Sequence, residues 1–504
     1  MTETIEEAQS SLKKNAPEPE ALQMIPEAMA RKHVAIPISK TGNILRVVMA
    51  NPTDIFALEA LASWSQMRIE PEEAAAEEVL DAIDFNYRAY DEIQQKISSI
   101  SHEGEGMEAD KVRIDTSMDA PVAQALTLIV DEAVKARASD IHLQPGEEAL
   151  RVRYRIDGTL HDMFSLPLTT ATALISRIKV LAQMNIADHH RPQDGQFTVK
   201  AKGRAIDVRV GSIATVHGEM ATLRLLDKSR ATLALSELGF LPDTLDKFDD
   251  MLKVSYGIII VSGPTGAGKT TTLYAAVNTL DRVERNIITV EDPVEYRFEK
   301  INQIQVNPRA GLTFASGLRS ILRLDPDVIL IGEIRDAETA NIAIQSALTG
   351  HLVLSSIHAN DTVGVVLRLI DLGVEPFLVS SALIGVVAQR MVRRICPSCS
   401  SLTEVSSADS MAYTQEMQEE KDTFMYGSGC KNCSNTGYRG RTGVFEILNN
   451  SEEIKTMLLK GATAGEIREQ AIKEGMVTLA KDGMIKVKEN MTTPSEIIRN
   501  AYTG

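Results

Sequence analysis

The stretch that decides the fold is Gly263-Pro264-Thr265-Gly266-Ala267-Gly268-Lys269-Thr270, which matches G-x-x-x-x-G-K-[ST] at every fixed position. Residues 257–262 before it are apolar and β-branched and predict a buried strand. Residues 271–280 after it lack Gly and Pro and predict a helix. A glycine loop between a strand and a helix turns backbone N–H groups towards a phosphate. The pattern therefore predicts a phosphate-binding loop, with a glycine turn that binds nothing as the alternative.

We call residues 263–270 the P-loop. In such loops the lysine reaches the β- and γ-phosphates and the hydroxyl binds Mg²⁺, so we expect these roles for Lys269 and Thr270. The predicted nucleotide-binding residues are Gly263, Pro264, Thr265, Gly266, Ala267, Gly268, Lys269, Thr270 and Thr271.

Acidic residues follow two further predicted strands, residues 286–290 and 328–331. Ligands of open α/β sheets bind off the carboxyl ends of the strands, so these acids should lie beside the P-loop. We predict that Glu333 orients the attacking water or takes its proton. The carboxylate on the metal side is expected from Glu291, Asp292 or Glu295, although the first two could instead cap a helix or a turn.

Two histidines flank a third apolar run, residues 352–357. A histidine near the end of a strand often only satisfies a hydrogen bond. Beside the Glu333 strand, however, His358 is predicted to sense the γ-phosphate. His351 and His358 are not predicted to bind a metal together, because no cysteine or acid lies at ligand spacing.

All four cysteines fall in two C-x-x-C pairs, Cys396 with Cys399 and Cys430 with Cys433. Paired knuckles of this kind present four thiolates to Zn²⁺, and four ligands leave no open position, so the site is predicted to be structural. Reduced cysteines without metal are the alternative. The long segment between the two pairs must leave the metal site and return to it.

The composition is that of a globular protein with an acidic balance. Fifty-three basic and 69 acidic residues in a chain of 504 give a net charge of −16. This charge argues against a general nucleic-acid-binding protein. The sequence has no apolar run of membrane-spanning length and no signal peptide, so we expect a cytoplasmic protein.

The chain is predicted to contain several domains. We expect a small α+β docking domain, an acidic linker, an α+β domain with an arginine-rich face, an α/β nucleotide domain, a zinc module and a helical region. Their predicted bounds are 1–90, 91–120, 121–232, 233–395, 396–433 and 434–504.

Basic residues mark one face of the second α+β domain: Arg151, Arg153, Arg155, Arg209 and Arg224. Such a face is usually only solvated. Beside a nucleotide domain, arginines delivered across a domain or subunit boundary can instead stabilise charge on a transferring phosphoryl group.

Taken together, the motifs resemble those of the bacterial type II secretion and type IV pilus assembly ATPases, from about residue 121 to the C-terminus and more weakly over residues 22–90. The motifs that carry the resemblance include ASDIH (138–142), RYRIDG (153–158), GPTGAGKTTTLY (263–274), TVEDPVEY (289–296), LRSILRLDPDVILIGEIRD (318–336), LTGHLVLSSIHAND (348–361) and GYRGRTGVFEIL (437–448).

This resemblance implies a RecA-like ATPase core preceded by a PAS-like domain, assembled as a homo-hexamer on the cytoplasmic side of the inner membrane. ATP turnover would act on a membrane platform protein, with a membrane-anchored adaptor, and would insert pilin-like subunits. The family's acidic box falls on residues 291–295, its catalytic glutamate on Glu333 and its histidine box on residues 351–358. Its arginine fingers fall on Arg209 and Arg224.

Other functions stay open from the sequence alone. Retraction ATPases of the same superfamily lack the large N-terminal domain and the four cysteines, both of which are present here. A nucleic-acid translocase or a nucleotide sensor that does not hydrolyse ATP would also use the P-loop. Some members bind cyclic di-GMP through an RLG-type motif. Residues 1–60 lack that motif, so we expect no cyclic di-GMP binding.

Overall fold

A computed structural model of the chain describes residues 17, 19–76, 78–80, 82–83, 87, 121–201, 203–226 and 233–502. The predicted acidic linker, 91–120, lies outside the described residues. The chain divides into two compact units, Met1–Asp227 with Gly429–Thr436 and Lys228–Ser428 with Gly437–Gly504.

Eighteen strands occur in the described part of the chain. They are β1 (Ala35–Thr41), β2 (Ile44–Met49), β3 (Arg68–Glu73), β4 (Ala138–Pro145), β5 (Ala149–Ile156), β6 (Thr159–Pro167), β7 (Gln193–Ala201), β8 (Arg204–Thr215), β9 (Gly218–Leu226), β10 (Gly257–Ser262), β11 (Ile287–Glu291), β12 (Asn302–Gln305), β13 (Val328–Ile331), β14 (Leu352–Ile357), β15 (Leu383–Ile395), β16 (Ser400–Glu404), β17 (Thr423–Gly427) and β18 (Tyr438–Asn449).

The principal helices within the same residues are α1 (Pro19–Met24), α2 (Glu27–His33), α3 (Ile55–Ser65), α4 (Pro121–Lys135), α5 (Ala171–Leu181), α6 (Pro242–Lys253), α7 (Lys269–Thr279), α8 (Phe314–Ile321), α9 (Ala337–Leu348), α10 (Thr362–Asp371), α11 (Pro376–Ala382), α12 (Ser407–Met417), α13 (Glu452–Leu459), α14 (Ala464–Lys473), α15 (Leu479–Lys488) and α16 (Pro494–Ala501). None of the helices described here is long and apolar enough to cross a membrane.

The N-terminal part of the first unit contains a three-stranded sheet in the order β1-β2-β3. Residues 71–90 read as one acidic helix in the sequence, but 71–73 belong to β3, which pairs in parallel with β2. The acidic composition misled the prediction, because backbone pairing with β2 outweighs the low strand propensity of Glu. Pro71 is tolerated because β3 lies at the edge of the sheet.

The rest of the first unit is a six-stranded antiparallel sheet in the order β6-β5-β4-β9-β8-β7. Its apolar side chains form one core with those of α4 and α5. The dipeptide Asp157-Gly158 predicts a hairpin turn from the sequence, and it joins β5 to β6. Both residues have positive φ, 47° and 94°. The mixed α+β character predicted for this region is therefore correct.

The second unit is built on a seven-stranded sheet in the order β12-β11-β13-β14-β10-β15-β18. All pairs are parallel except β15 with β18. Every residue of β10, β11, β13 and β14 is buried, as expected for strands covered on both faces. Parallel strands point their carboxyl ends to one edge, so the P-loop, Glu291, Glu333 and His358 follow strands that end at the same edge.

One predicted boundary differs from the observed architecture. Residues 434–504 were expected to be helical, but they begin with β18, which pairs with β15. In this pairing Gly385 lies opposite Asn449 at one end, and Ile395 lies opposite Tyr438 at the other. Its segment 442–448 is buried on both faces. The long excursion between the cysteine pairs, which holds β16, β17 and α12, separates the two strands and hides their pairing in the sequence.

Candidate active site and metal centre

The P-loop leaves β10 at Gly263 and enters α7 at Lys269. Gly263, Gly266 and Gly268 have φ values of 152°, 79° and 88°, which side-chain-bearing residues rarely adopt. A Cβ on Gly263 would also lie only 2.5 Å from the carbonyl oxygen of Gln389. The glycines thus let the backbone curl tightly around the N-terminus of α7, a shape that fits a phosphate.

Lys269 lies across this loop. Its Nζ donates to the carbonyl oxygens of Gly263 at 2.8 Å and Pro264 at 3.2 Å. Burial lowers the pKa of Lys269, while the charge of nearby Glu333 opposes that change. Thr270 is exposed at the start of α7. These positions are compatible with the roles predicted for Lys269 and Thr270, which stay predictions.

Glu333 follows β13 and lies beside basic side chains. It forms an ion pair with Arg335, and its Oε2 lies 3.5 Å from Nε2 of His358. Burial acts to raise the pKa of Glu333, but the hydrogen bond and charge of Arg335, with His358 and Lys269, outweigh burial and lower it. The carboxylate is therefore ionised at neutral pH, as a proton acceptor must be.

The two predicted histidines lie at opposite ends of β14. His358 follows the carboxyl end and contacts Glu333. His351 precedes the strand, where its Nδ1 lies 2.9 Å from the carbonyl oxygen of Ser346 and 3.2 Å from Oγ1 of Thr349. Only His358 is therefore placed beside the predicted catalytic glutamate.

Glu291 at the end of β11 is buried, with 3% of its surface exposed. It accepts hydrogen bonds from the hydroxyl of Tyr274, from Oγ1 of Thr289 at 2.5 Å and from Nε2 of Gln303 at 3.2 Å. A buried carboxylate with three hydrogen-bond donors is held in place rather than presented to a ligand. The sequence did not indicate this setting for Glu291.

The other acids of the box are more accessible. The backbone N–H of Glu295 donates to the hydroxyl of Tyr274 at 3.2 Å, so Tyr274 joins both ends of the box to α7. Asp292 is exposed, and its charge helps to raise the pKa of Arg335, which is chiefly raised by the hydrogen bond to Glu333.

The predicted arginine fingers lie on neighbouring strands of the first unit, with Arg209 opposite Arg224 in the β8–β9 pairing. Nε of Arg224 lies 3.1 Å from Oδ1 of Asp140, and Nε of Arg155 lies 3.8 Å from the other oxygen of that carboxylate. Two of the five arginines of this face thus share the carboxylate of Asp140. The role of the fingers in catalysis stays a prediction.

The four cysteines form a cluster in which all Sγ atoms lie within 4.8 Å of one another. The Sγ atoms of Cys430 and Cys433 are 3.7 Å apart. Thiolates placed about 2.3 Å from a tetrahedral Zn²⁺ are about 3.8 Å apart, so the donor set and its spacing fit zinc. The sequence prediction of one four-cysteine group is correct, and the metal stays a prediction.

Three contacts in the site were not anticipated. Tyr274 and Arg335 belong to motifs that were recognised, but their partners are visible only in the folded chain. Gln389 donates to the carbonyl oxygen of Ala267 in the P-loop at 2.6 Å. In the sequence, the polar Gln389 within the apolar run of β15 could have indicated such a contact.

The parallel sheet, the P-loop at its carboxyl edge and the ionised Glu333 beside it together define a P-loop ATPase. The particular family follows from sequence comparison, because the family described as Type II/IV secretion system protein matches residues 115–499. The chain belongs to this family.

Curated relatives with names from two systems cover most of the chain. The type IV pilus assembly ATPase PilB of Myxococcus xanthus is 39% identical over 491 residues, covering 96% of this chain and 87% of the relative. The type II secretion system protein E of Xanthomonas campestris pv. campestris is 40% identical over 476 residues, covering 92% and 82%.

Among solved structures, the Legionella pneumophila ATPase DotB matches with a TM-score of 0.56 at 20% identity, covering 78% of this chain and 98% of that chain. At this identity the match supports the fold alone. The fold of this match agrees with the predicted architecture, an ATPase core preceded by an α+β domain.

The N-terminal region requires a correction. Residues 10–92 match the MshEN domain, which is a cyclic di-GMP-binding domain. Our expectation of no cyclic di-GMP binding rested on one missing motif. The domain-level match counts against it, because a domain can keep its overall pattern while a short motif diverges.

Proposed function

We propose that this chain is a motor ATPase that hydrolyses ATP to assemble type IV pilus or type II secretion pseudopilus subunits. It would work as a homo-hexamer on the cytoplasmic side of the inner membrane, through a platform protein and a membrane-anchored adaptor. The names of the two relatives described above support this proposal, as do their matches over 96% and 92% of this chain.

The observation that carries the enzymatic part is the position of Glu333. An ionised carboxylate lies at the carboxyl end of β13, with Arg335 and His358 in contact and the charge of Lys269 acting on it. Phosphoryl transfer to water requires an oriented nucleophile and cations around the transferring group. The position of Glu333 and of these basic side chains at one edge of the sheet supports that role.

Each group has a proposed role in the reaction. The P-loop N–H groups and Lys269 bind the phosphates, and Glu333 orients the water and accepts its proton. Thr270 would hold Mg²⁺, which supplies charge neutralisation to the phosphate oxygens when bound. His358 senses the γ-phosphate position, and Arg209 and Arg224 reach the developing charge from another domain or subunit.

The enzymatic proposal is tested by ATP hydrolysis of the full chain against the Lys269→Ala variant. We expect turnover by the wild type and none by the variant, with hexamer-sized particles in light scattering. Strong stimulation by single-stranded or duplex DNA would favour a nucleic-acid translocase instead. The net charge of −16 leads us to expect no stimulation.

The direction and system are tested in cells that lack this chain. Loss of surface pili supports pilus assembly, and loss of secreted proteins with intact pili supports secretion. An excess of pili would instead identify a retraction motor.

We propose that Cys396, Cys399, Cys430 and Cys433 hold one structural Zn²⁺. Elemental analysis of the purified chain should find one zinc per subunit. The Cys433→Ser variant should lose the metal and unfold at a lower temperature, whereas Ser434→Ala next to it should keep both. A metal-free wild type would contradict the proposal.

Cyclic di-GMP binding by the N-terminal region is a second proposal, which the MshEN match supports. Calorimetric titration of the full chain with cyclic di-GMP tests it, with GTP as the control nucleotide. Saturable binding of cyclic di-GMP alone is expected. No heat at concentrations that saturate known binders would restore our original expectation.

A further inference from the structure

Two polar side chains interrupt the apolar core of the main sheet beside the P-loop. Gln389 and Arg390 on β15 expose only 1% and 7% of their surfaces. In the pairing of β15 with β10, Ala388 lies opposite Ser262, so the two polar residues follow the point at which the P-loop leaves β10. Burying an amide and a guanidinium costs free energy unless both are hydrogen-bonded. Their partners therefore explain their presence.

Gln389 contacts the P-loop twice. Its side-chain Nε2 donates to the carbonyl oxygen of Ala267 at 2.6 Å. Its backbone oxygen lies 2.5 Å from where a Cβ on Gly263 would be, so the loop closes directly onto β15. Oε1 of Gln389 is buried and makes no hydrogen bond within the described part of the chain. The amide is thus oriented by the contact with Ala267.

Arg390 reaches from the same strand to the segment after His358. One guanidinium nitrogen donates to the carbonyl oxygen of Asn360 at 2.6 Å, and the other donates to the carbonyl oxygen of Gln389 at 3.2 Å. Ser262 at the end of β10 donates to the neighbouring carbonyl of Ala359 at 2.8 Å. The segment after His358 is therefore hydrogen-bonded to both β10 and β15, the two strands that the P-loop contacts.

The charge of Arg390 also reaches the nucleotide site. Its Nη1 lies 3.6 Å from the Cβ position of Gly263. Burial lowers the pKa of Arg390, while Asp361 and Glu446 act to raise it. The positive charge of Arg390 in turn contributes to the lowered pKa of Lys269, second to burial among the lowering causes.

We propose that Gln389 and Arg390 are positioning residues for ATP hydrolysis, with Gln389 holding the P-loop and Arg390 holding the His358 segment at a fixed place against it. Neither side chain needs to touch the nucleotide, because each acts through a backbone carbonyl. The proposal rests on the ATPase activity proposed above and adds that β15 sets the geometry of both phosphate-contacting segments.

The test compares three variants of the full chain. Gln389→Met keeps the volume but loses the donor to Ala267. Arg390→Lys keeps the charge but replaces the two forked guanidinium nitrogens by one ammonium nitrogen, which cannot occupy both donor positions. Arg394→Lys, an exposed arginine on the same strand, is the matched control. The dissociation constant for Mg·ADP, kcat and KM for ATP, and the unfolding temperature are measured for each.

We expect Gln389→Met to weaken Mg·ADP binding about five- to tenfold, as the loss of one hydrogen bond implies. Arg390→Lys should lower kcat about tenfold with KM within about twofold, since misplacing a catalytic segment affects the transition state more than binding. Arg394→Lys should match the wild type in every measurement.

Wild-type binding and turnover in both variants would overturn the inference. So would a purely structural result, in which the unfolding temperature and the active fraction fall while the Mg·ADP constant of active Gln389→Met and the kcat per active site of Arg390→Lys do not change. If Gln389→Met does not fold, Gln389→Glu, which sets a carboxylate near the Ala267 carbonyl, should weaken Mg·ADP binding further. A wild type that binds no nucleotide would instead refute the proposed ATPase function.

Discussion

Two neighbouring strands of the main sheet, β11 and β13, each lead into a glutamate at the same edge, yet the two carboxylates have opposite surroundings. Glu291 is buried and accepts hydrogen bonds from neutral groups on Tyr274, Thr289 and Gln303. Glu333 is partly accessible and contacts the guanidinium of Arg335 and the imidazole of His358. The strand end alone therefore does not decide what a carboxylate does.

The partners of each carboxylate decide its role. Neutral donors in a buried place fix a side chain, so Glu291 connects α7 to the acidic box. Basic side chains around a partly accessible carboxylate favour its ionised form, as the role proposed for Glu333 requires. Three experiments test this difference.

The largest effect is expected from replacing each glutamate by glutamine. Glu333→Gln should lower kcat by about 10²- to 10⁴-fold with nucleotide binding retained, because a general base is lost. Glu291→Gln should keep kcat within about tenfold, a barrier change of at most about 1.4 kcal/mol. Steady-state hydrolysis and Mg·ADP titration measure both. Equal losses in the two variants would mean that Glu291 also takes part in the chemistry.

A middle-sized effect is expected for Tyr274→Phe, which removes the hydroxyl between Glu291 and the backbone of Glu295. Losing a donor to a buried carboxylate should cost about 1–3 kcal/mol of folding free energy. Thermal or denaturant unfolding measures the loss, and Tyr256→Phe, at an exposed tyrosine, serves as the control. An unchanged unfolding midpoint would show that the network around Glu291 contributes nothing.

The smallest effect on stability is expected for Arg335→Gln, because the Arg335 side chain is 60% exposed and such ion pairs contribute about 0–1 kcal/mol. Its effect should instead appear in the pH dependence. Glu333 accepts a proton only when ionised, so activity falls as the pH falls through its pKa. Without Arg335 that pKa rises, and the acid limb of kcat/KM should move to higher pH.

The control for the pH profile is Lys455→Gln, which breaks a surface ion pair with Glu452 away from the site. Its acid limb should coincide with that of the wild type. An acid limb that does not move in Arg335→Gln would show that Glu333 is not the group that titrates.

The sequence predicted the elements that depend on local pattern. The strand before the P-loop, the helix after it and the hairpin at Asp157-Gly158 all follow from runs of a few residues. The gathering of Glu291, Glu333 and His358 at one edge followed from the rule that parallel strands end together.

What the sequence could not predict depends on distant partners. The burial of Glu291 is created by Gln303 and Tyr274, which lie 12 and 17 residues away. The pairing of β18 with β15 crosses a long excursion, and a two-sided buried antiparallel strand has no alternating pattern to reveal it. Gln389 and Arg390 acquire a role only because β15 lies next to β10.

The position of β18 has a consequence for how the chain can be shortened. Strand β10, which precedes the P-loop, is hydrogen-bonded on one edge to β15. The other edge of β15 is hydrogen-bonded to β18. Cutting the chain before Tyr438 would leave the thirteen residues of β15 with an open row of N–H and C=O groups. Open edges of that length recruit other strands. A fragment ending there would aggregate, although all nine nucleotide-binding residues predicted from the sequence precede the cut.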